Sequence, residues 1–402
     1  MRRKPALVLA MAGTVLAVLI VGAVLVLGVR RYLEPLPAVR FEQAELPAQV
    51  TGNAPPVPWP SQGSAAVMIE GLGTVGVHAD EKPRPLASVV KIMTALVILD
   101  GHPLKTGEKG PAFQMTSADV AAYRAAIADD QSAVFVVEGE TLTQYQLLEG
   151  LLLPSANNFA DILARWDAGS IPAFVAKMNA RAKELGMTQT RYIDASGNDP
   201  AGVGTARDQL LVAQAAMRND IFAEIVARPQ TDLPAVGTVY NVNALIGSGG
   251  VIGVKTGSGP EAGGCFVIAA TVTAGGQPVR VFGAVLGAAQ LRDAFKASQE
   301  LVKAAMAAPQ EMQVIAPAQP VGMLTTAWGA TAPVVTAGPA SLPAWSGLPI
   351  KAEAAVAPPP PGTPLGTPVG SLSLEVGANK RDVVVQTSET LSGPSWWWRL
   401  TR

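Results

Sequence analysis

The chain has 402 residues, of which 49% are hydrophobic, so it is long enough for more than one domain and can build a sizeable core. Its 30 Lys and Arg residues against 31 Asp and Glu residues give a formal net charge of −1. This balance argues against a nucleic-acid partner, which requires a basic surface. One cysteine excludes a disulfide framework, and two histidines without an HExxH pattern indicate neither a metal site nor any other cofactor. The scarcity of histidine also disfavours a Ser-His-Asp triad.

The amino terminus combines three basic residues at positions 2–4 with an uncharged run over residues 5–29 that two arginines close. As a helix this run would measure roughly 37 Å at about 1.5 Å per residue, enough to cross a hydrocarbon core of roughly 30 Å. It exceeds the roughly 7–15 residues of a signal-peptide core, and no cleavage site follows it. We expect residues 1–31 to be a single-pass anchor in the cell membrane, with the remaining chain extracytoplasmic. A cleaved signal and a secreted protein are the alternative.

The next segments predict a spacer followed by a mixed α+β domain. Residues 32–62 are rich in proline and lack periodicity, which is typical of a linker. Residues 63–308 begin with two short strands, continue with a helix that is apolar nearly all round over residues 87–100, and include further helical segments. Three β-rich stretches and a last helix close this domain. We expect an antiparallel sheet flanked by helices and assembled from distant segments.

Beyond residue 308 the composition shifts toward Pro, Ala, Gly and Val. Short β-like pieces alternate with Pro/Gly turns over residues 309–395, which predicts a small all-β domain; a disordered tail is the alternative. Residues 396–402 form a tail with three consecutive tryptophans. Such aromatic clusters are enriched at membrane interfaces, although packing against the β domain would also explain them.

Ser88 and Lys91 are the first candidate catalytic residues. Their i, i+3 spacing places them on one face of the apolar helix. Burial of an ammonium is costly and lowers the pKa of lysine, so Lys91 can act as a base toward a neighbouring hydroxyl. This pair alone is a weak signal, because a serine helix cap and a snorkelling lysine would leave the same pattern.

Two further motifs follow in a fixed order. Ser155-Ala156-Asn157 comes after an apolar run and before a helix, and Lys255-Thr256-Gly257 closes a predicted strand. Each motif alone has an ordinary structural explanation, namely a helix cap and a strand end. The ordered set S-x-x-K, S-x-N and K-T-G on a buried helix, a loop and a strand is a strong signal of serine acyl transfer.

These motifs and the sequence around them resemble the low-molecular-mass penicillin-binding proteins, the D-alanyl-D-alanine carboxypeptidases of the penicillin-binding protein 5 type. The blocks ASVVKIMTALVIL, GLLLPSANNFADILA and GVKTGSGPEAGGC look like those of the family, in its order, and the resemblance covers residues 63–307. It implies the transpeptidase fold shared by penicillin-binding proteins and β-lactamases. The tail looks less closely like the carboxy-terminal β domain of the family.

The resemblance implies roles for the first two motifs. Ser88 would attack the carbonyl between the two terminal D-alanines of a peptidoglycan stem peptide, forming an acyl-enzyme and releasing D-Ala. Lys91 would take the Ser88 proton, Ser155 would relay a proton to the leaving amine, and Asn157 would hold Lys91 and the substrate amide. β-Lactams, which mimic the D-Ala-D-Ala end, would acylate Ser88 as covalent inhibitors.

The third motif would bind substrate. Lys255 and Thr256 would receive the terminal carboxylate, and the strand end with Gly257 would pair with the peptide. Backbone N–H groups of Ser88 and Ser258 would stabilise the oxyanion. The sequence departs from the family at Gly259, where many relatives have threonine, which puts the substrate contacts beside this motif in doubt.

Three other functions remain as alternatives to a D,D-carboxypeptidase. A D,D-endopeptidase would cut cross-links with the same residues. A catalytically idle wall-binding scaffold would keep the fold without turnover. A β-lactamase would need an additional glutamate for deacylation, and no glutamate-bearing block between Asn157 and Lys255 stands out.

Overall fold

The computed structural model describes residues 4–53, 55–78, 82–274 and 277–402. Positions 2 and 3 of the basic cluster lie outside these ranges. So do residue 79 of the strand that the sequence predicts over residues 75–79 and residues 275–276 of the turn that it predicts between the last two β-rich stretches. The chain divides into two compact units. One comprises Gly52–Gln310 with Ala344–Ser346, and the other comprises Met1–Thr51, Glu311–Pro343 and Gly347–Arg402.

Within the described residues the α-helices, in chain order, are α1 (Lys4–Leu33), α2 (Lys91–Gly101), α3 (Ser117–Ala128), α4 (Gln144–Leu152), α5 (Asn157–Ala168), α6 (Ile171–Glu184), α7 (Ala206–Ala216), α8 (Asp220–Val226), α9 (Leu291–Ala307) and α10 (Trp396–Thr401).

The strands are β1 (Arg40–Gln43), β2 (Ser64–Ile69), β3 (Gly73–His78), β4 (Arg84–Pro85), β5 (Ala112–Gln114), β6 (Thr141–Thr143), β7 (Val203–Gly204), β8 (Gln230–Leu233), β9 (Gly237–Tyr240), β10 (Val251–Gly259), β11 (Gly263–Ala274), β12 (Gln277–Ala288), β13 (Gln310–Ile315), β14 (Pro320–Thr325), β15 (Thr331–Thr336), β16 (Ala340–Ala344), β17 (Lys351–Val356), β18 (Pro368–Val376) and β19 (Asn379–Thr387).

The main sheet of the first unit joins both ends of the predicted α+β domain. In the described residues its order is β10-β11-β12-β2-β3, and all neighbours are antiparallel. Alternate residues of β11 face different layers, as the period of two requires. Val267 belongs to the helical core, whereas the Phe266 ring meets Phe295 of α9 edge-on at 4.9 Å. The expected sheet flanked by helices is confirmed.

Helix α2 is the central helix of this unit. Every residue from Lys91 to Leu99 is buried, and α2 packs against α4, α5, α6 and α7. The expected helix over residues 87–100 is continuous only from Lys91. Residues Ala87–Val90 form a 3₁₀ turn instead, and Ala87 has a left-handed φ of 47°. In such a turn residues i and i+3 eclipse one another, which places the Ser88 side chain over Lys91.

The second unit contains a six-stranded sheet, counted over the described residues, with the order β1-β14-β15-β19-β18-β17. Its outer strand β1 lies within residues 32–62, where we expected a spacer without regular structure. A glycine in β14 explains why β1 pairs with this strand. Phe41 of β1 lies against Gly322, where a Cβ would come 2.4 Å from the aromatic ring. The glycine therefore leaves space for this ring. The sequence pattern of β1, a strand of four residues, does not reveal this contact.

Helix α1 contains the apolar run at the amino terminus. Residues Met11–Leu33 are long and apolar enough to cross a membrane, with a mean hydropathy of 2.7 and no buried residue in the most apolar window. A signal sequence would meet the same criteria. The carboxy-terminal tail, expected as an aromatic segment without assigned structure, forms the short helix α10 that packs on α1.

Candidate active site

The turn that carries Ser88 is held by two glycines. Gly197 has φ +80°, and a Cβ there would come 1.9 Å from the Ala87 carbonyl oxygen. A Cβ on Gly257 of β10 would come 3.1 Å from the Ser88 amide nitrogen. Only glycine allows backbone to approach backbone this closely at the left-handed position. Ser88 itself is half-buried and opens onto a cleft.

Lys91 lies beneath Ser88, fully buried at 0% exposure. Its Nζ donates to Ser88 Oγ at 2.8 Å, to Asn157 Oδ1 at 2.6 Å and to the Ser196 carbonyl oxygen at 2.7 Å. These acceptors use all three protons of an ammonium. Burial, and then the nearby charge of Lys255, hold the pKa of Lys91 well below its usual value. The neutral amine is therefore accessible in contact with the Ser88 hydroxyl.

Lys255 is the second buried cation, at 1% exposure in β10. Its Nζ donates to the Thr256 carbonyl oxygen at 3.1 Å and to Thr256 Oγ1 at 3.4 Å. Burial lowers the pKa of Lys255 to about 7. Strand β10 is an edge strand of the main sheet within the described residues, so its outer side can accept a further strand. This end of β10 therefore combines a buried amine with a position at the edge of the sheet, where a ligand can bind.

The second motif occupies the loop that leads into α5. Asn157 begins the helix, and its backbone N–H donates to the Ser132 carbonyl oxygen at 2.8 Å. Ser155 has a left-handed φ of 71° and is 4% exposed. Among the described residues its Oγ has no hydrogen-bond partner. A buried hydroxyl without a partner is costly, so this position is suited to a group that bonds only when a ligand is bound.

A cleft of about 400 Å³ lies above these residues. Of the eight residues predicted to form the site, Ser88, Asn157 and Ser258 line the cleft, whereas Lys91, Lys255, Ser155 and Thr256 are buried. Gly257 packs against the Ser88 turn. The structure brings Ser88 and Asn157 to the Nζ of Lys91, which also interacts electrostatically with Lys255. Ser258 lines the same cleft as Ser88, whereas the role of Ser155 stays a prediction.

The structure also contains functional groups to which we assigned no role from the sequence. The Ser196 carbonyl that meets Lys91 is fixed by its own loop. Asp194 accepts the N–H groups of Ser196, Gly197 and Asp199 at 3.1, 2.6 and 2.8 Å, and Thr94 Oγ1 of α2 donates to the Ala195 carbonyl at 2.6 Å. The sequence Asp-Ala-Ser-Gly over residues 194–197 signals a turn. That signal does not reveal that the carbonyl of this turn meets a lysine about 100 positions earlier.

Gln131 is a second residue at the site to which the sequence motifs assign no role. Its Oε1 accepts from Asn157 Nδ2 at 3.0 Å, which leaves Asn157 Oδ1 directed at Lys91. The loop of Gln131 is held by Asn158, whose side chain bonds both the N–H and the carbonyl of Val134 at 3.1 and 2.9 Å. Because an amide donates on one side and accepts on the other, this contact determines which atom faces the lysine.

Together these contacts provide the parts that serine acyl transfer requires. A hydroxyl lies at hydrogen-bond distance from an amine whose pKa is depressed, on the wall of a cleft that is bordered by an edge strand. A nucleophile and a base within hydrogen-bond reach, with the base oriented by further groups, are the structural signature of covalent catalysis.

Comparison with known proteins agrees with this chemistry. A family model described as D-alanyl-D-alanine carboxypeptidase matches residues 62–290, more than half of the chain. The D-alanyl-D-alanine carboxypeptidase of Streptomyces sp. (strain K15) is 35% identical over 223 residues, or 51% of this chain and 74% of the relative. A D-alanyl-D-alanine endopeptidase of Pseudomonas aeruginosa is 31% identical over 223 residues, or 53% of this chain and 68% of that protein.

Among solved structures, the Streptomyces K15 DD-transpeptidase aligns with a TM-score of 0.55 and 30% identity, over 63% of this chain and 99% of its own. The fold and the sequence therefore agree, and the resemblance inferred from the three motifs is confirmed. The chain belongs to the D-alanyl-D-alanine carboxypeptidase family.

Proposed function

We propose that this protein is a serine D,D-carboxypeptidase that removes the terminal D-Ala from peptidoglycan stem pentapeptides through an acyl-enzyme on Ser88. The observation that carries the proposal is the 2.8 Å contact between Ser88 Oγ and the buried Nζ of Lys91, whose pKa is depressed. The family's activity supports the substrate. The idle-scaffold alternative is disfavoured because a costly buried lysine retains its full set of acceptors beside the serine.

Acylation begins with Lys91 as the neutral amine. Lys91 Nζ takes the Ser88 proton while Ser88 Oγ attacks the carbonyl carbon of the penultimate D-Ala, and the backbone N–H groups of Ser88 and Ser258 hold the oxyanion. The amide C–N bond then breaks, and a proton passes to the departing amine through Ser155 Oγ, which has no partner among the described residues. In deacylation Lys91 Nζ takes a proton from the water that attacks the ester carbonyl carbon. The bond from this carbon to Ser88 Oγ breaks, Lys91 passes the proton to Ser88 Oγ, and the shortened peptide leaves as its acid.

Lys255 and Thr256 select substrates with a free carboxylate. A cation beside a hydroxyl donor matches a terminal carboxylate, and the contact stabilises the charged form of Lys255, whose pKa in the free enzyme is about 7. Backbone pairing of the peptide with β10 and Gly257 aligns the scissile bond over Ser88. The same geometry accepts β-lactams, which would acylate Ser88.

The site functions outside the cytoplasm, where peptidoglycan lies. We assign α1 as a retained anchor in the cell membrane, because its candidate span Met11–Leu33 of 23 residues reaches roughly 35 Å at about 1.5 Å per residue. The segment following the anchor enters the β sheet of its own unit through β1.

The test is release of free D-alanine from diacetyl-L-Lys-D-Ala-D-Ala by the full-length protein in detergent. We expect steady release by the wild type and none by Ser88→Ala, with Ser170→Ala as the matched control. Ser170 caps α6 and lies outside the cleft lining, so its loss removes a serine hydroxyl without touching the site. Release by Ser88→Ala would refute the assigned nucleophile.

A cross-linked muropeptide dimer is the second substrate, because a relative at 31% identity is named an endopeptidase. Cleavage of the dimer without release of D-alanine from the tripeptide would replace carboxypeptidase by endopeptidase activity. Absence of both activities, together with labelling of Ser88 by a fluorescent penicillin, would support an enzyme specific for another peptide. Absence of labelling as well would favour the scaffold.

A further inference from the structure

The turn over residues 194–199 lies against α2 beside the base. Lys91 and Thr94 have i, i+3 spacing, which places them on one face of α2. They donate to successive carbonyl oxygens of the turn, Lys91 Nζ to that of Ser196 at 2.7 Å and Thr94 Oγ1 to that of Ala195 at 2.6 Å. All four residues are buried. The path of this turn therefore determines where the third acceptor of Lys91 lies.

The same turn also supports the nucleophile. Gly197 approaches the backbone before α2 so closely that a Cβ on it would lie 1.9 Å from the Ala87 carbonyl oxygen and 3.1 Å from the Ser88 amide nitrogen. Gly197 and Asn198 in addition line the cleft. One turn thus contacts the base, the backbone of the nucleophile and the space in which substrate would bind.

A single carboxylate holds this turn together. Asp194 Oδ1 accepts the N–H groups of Ser196 and Gly197 at 3.1 and 2.6 Å, and its Oδ2 accepts that of Asp199 at 2.8 Å. Aspartate stabilises turns by accepting backbone N–H groups in this way, and bonds to an ionised acceptor are stronger than neutral ones. An asparagine could replace Oδ1, but its own N–H group would then face the N–H of Asp199. The geometry therefore requires a carboxylate.

Asp194 also acts on Lys91 through its charge. Burial, and then the positive charge of Lys255, lower the pKa of Lys91, whereas the negative charges of Asp194 and, after it, Asp161 raise this pKa. These groups face the amine from β10, from the turn and from α5. A general base must hold the proton that it takes, and it weakens as its pKa falls. A negative charge nearby therefore limits the loss of basicity that burial causes.

We propose that Asp194 is a positioning residue for acyl transfer, which fixes the turn against the base and the nucleophile and serves as a countercharge of Lys91. Asp194 is not among the residues that line the cleft, so it acts through the turn and through Lys91 rather than on the reacting atoms. The inference rests on the proposed acylation of Ser88, because the rate of this step is what Asp194 would control.

Two substitutions in the full-length protein separate position from charge. Asp194→Asn keeps an acceptor at Oδ1 and removes the charge, whereas Asp194→Ala removes both. The assay is the second-order rate of labelling by a fluorescent penicillin as a function of pH. In Asp194→Asn the pKa of Lys91 falls, so the acid limb of the pH–rate profile moves to lower pH. In Asp194→Ala we expect the rate to fall by about 10- to 100-fold at every pH, because a displacement of about 1 Å can cost about 100-fold.

Two further variants serve as controls. Asp161→Asn removes the other negative charge that acts on Lys91 and leaves the turn intact, so the acid limb moves in the same direction as in Asp194→Asn. Asp208→Asn is matched for stability, because Asp208 is 4% exposed and its Oδ2 likewise accepts a backbone N–H, that of Gln189 at 3.0 Å. We expect Asp208→Asn to lower Tm and to leave the labelling rate and the acid limb unchanged.

An acid limb that stays in place in Asp194→Asn would overturn the role as a countercharge. A wild-type labelling rate in Asp194→Ala, or an equal loss of rate in Asp208→Asn, would overturn the positioning role. If Asp194→Ala shows no thermal unfolding transition, the acid limbs of Asp194→Asn and Asp161→Asn decide. Failure of the proposed function is distinguished in the wild type: absence of label on Ser88 refutes the acyl-enzyme together with this inference, whereas a labelled wild type with unchanged Asp194 variants refutes this inference alone.

Discussion

Substitution of Gln131 tests how the site orients its base. In Gln131→Met the Asn157 amide loses the acceptor of its Nδ2, a contact of 3.0 Å, and can turn its N–H groups toward Lys91. A neutral hydrogen bond of this kind contributes about 0.5–1.5 kcal/mol, which corresponds to a decrease of about 2- to 13-fold in the acylation rate constant. The assay is the second-order rate of labelling by a fluorescent penicillin.

The pH profile distinguishes orientation from general damage. Asn157 Oδ1 accepts from Nζ at 2.6 Å and so stabilises the protonated form of Lys91. Loss of this contact in Gln131→Met lowers the pKa of Lys91 further. The acid limb of the pH–rate profile of acylation therefore moves to lower pH. Gln131→Glu keeps an acceptor and adds a negative charge, so the limb moves to higher pH. The control is Gln299→Met on α9, an exposed position outside the cleft lining. We expect it to change neither the acylation rate nor the acid limb of the pH–rate profile.

A shift of the acid limb in the same direction in both Gln131 variants would contradict a role of Gln131 in orienting Asn157. An unchanged rate and profile in Gln131→Met would also refute it, because the orientation of Asn157 would then not depend on this contact.

Further predictions concern the carboxylate site and the nucleophile turn. Because the pKa of Lys255 is about 7 in the free enzyme, its charged form is lost as pH rises, so KM for the tripeptide should increase above about pH 7 while kcat changes less. A KM that stays flat to pH 9 would contradict this assignment. Gly197→Ala should lower Tm by several degrees and slow acylation, since its Cβ would overlap the Ala87 carbonyl at φ +80° and domains of this size lose about 2–4 °C per kcal/mol. Gly259→Ala is the control, with no atom within 4 Å of the new Cβ, and a similar loss of Tm in both would remove the steric explanation.

The sequence predicts those parts of the site that follow from periodicity or an ordered motif. Ser88 and Lys91 could be paired because i, i+3 spacing stacks side chains, and the structure places them 2.8 Å apart. The antiparallel meander could be predicted from three β-rich segments separated by turns, and β10, β11 and β12 match it. Local rules of backbone geometry suffice for these elements.

The remaining features depend on contacts between distant segments. The Ser196 carbonyl reaches Lys91 only because Asp194 and Thr94 hold its loop, and no local pattern indicates this position. Likewise β1 forms because Gly322 makes space for Phe41, although its own segment reads as a spacer. A backbone carbonyl or a missing Cβ has no periodic signature, so neither could be predicted from the chain alone.

The most direct test of the central claim is to map the acyl group after brief reaction of the full-length protein with benzylpenicillin. We expect one adduct, located by peptide mass analysis on Ser88, absent in Ser88→Ala and formed far more slowly in Lys91→Met. Acylation of Ser155 or of any other residue in the wild type, or undiminished acylation in Lys91→Met, would contradict the assignment of nucleophile and base.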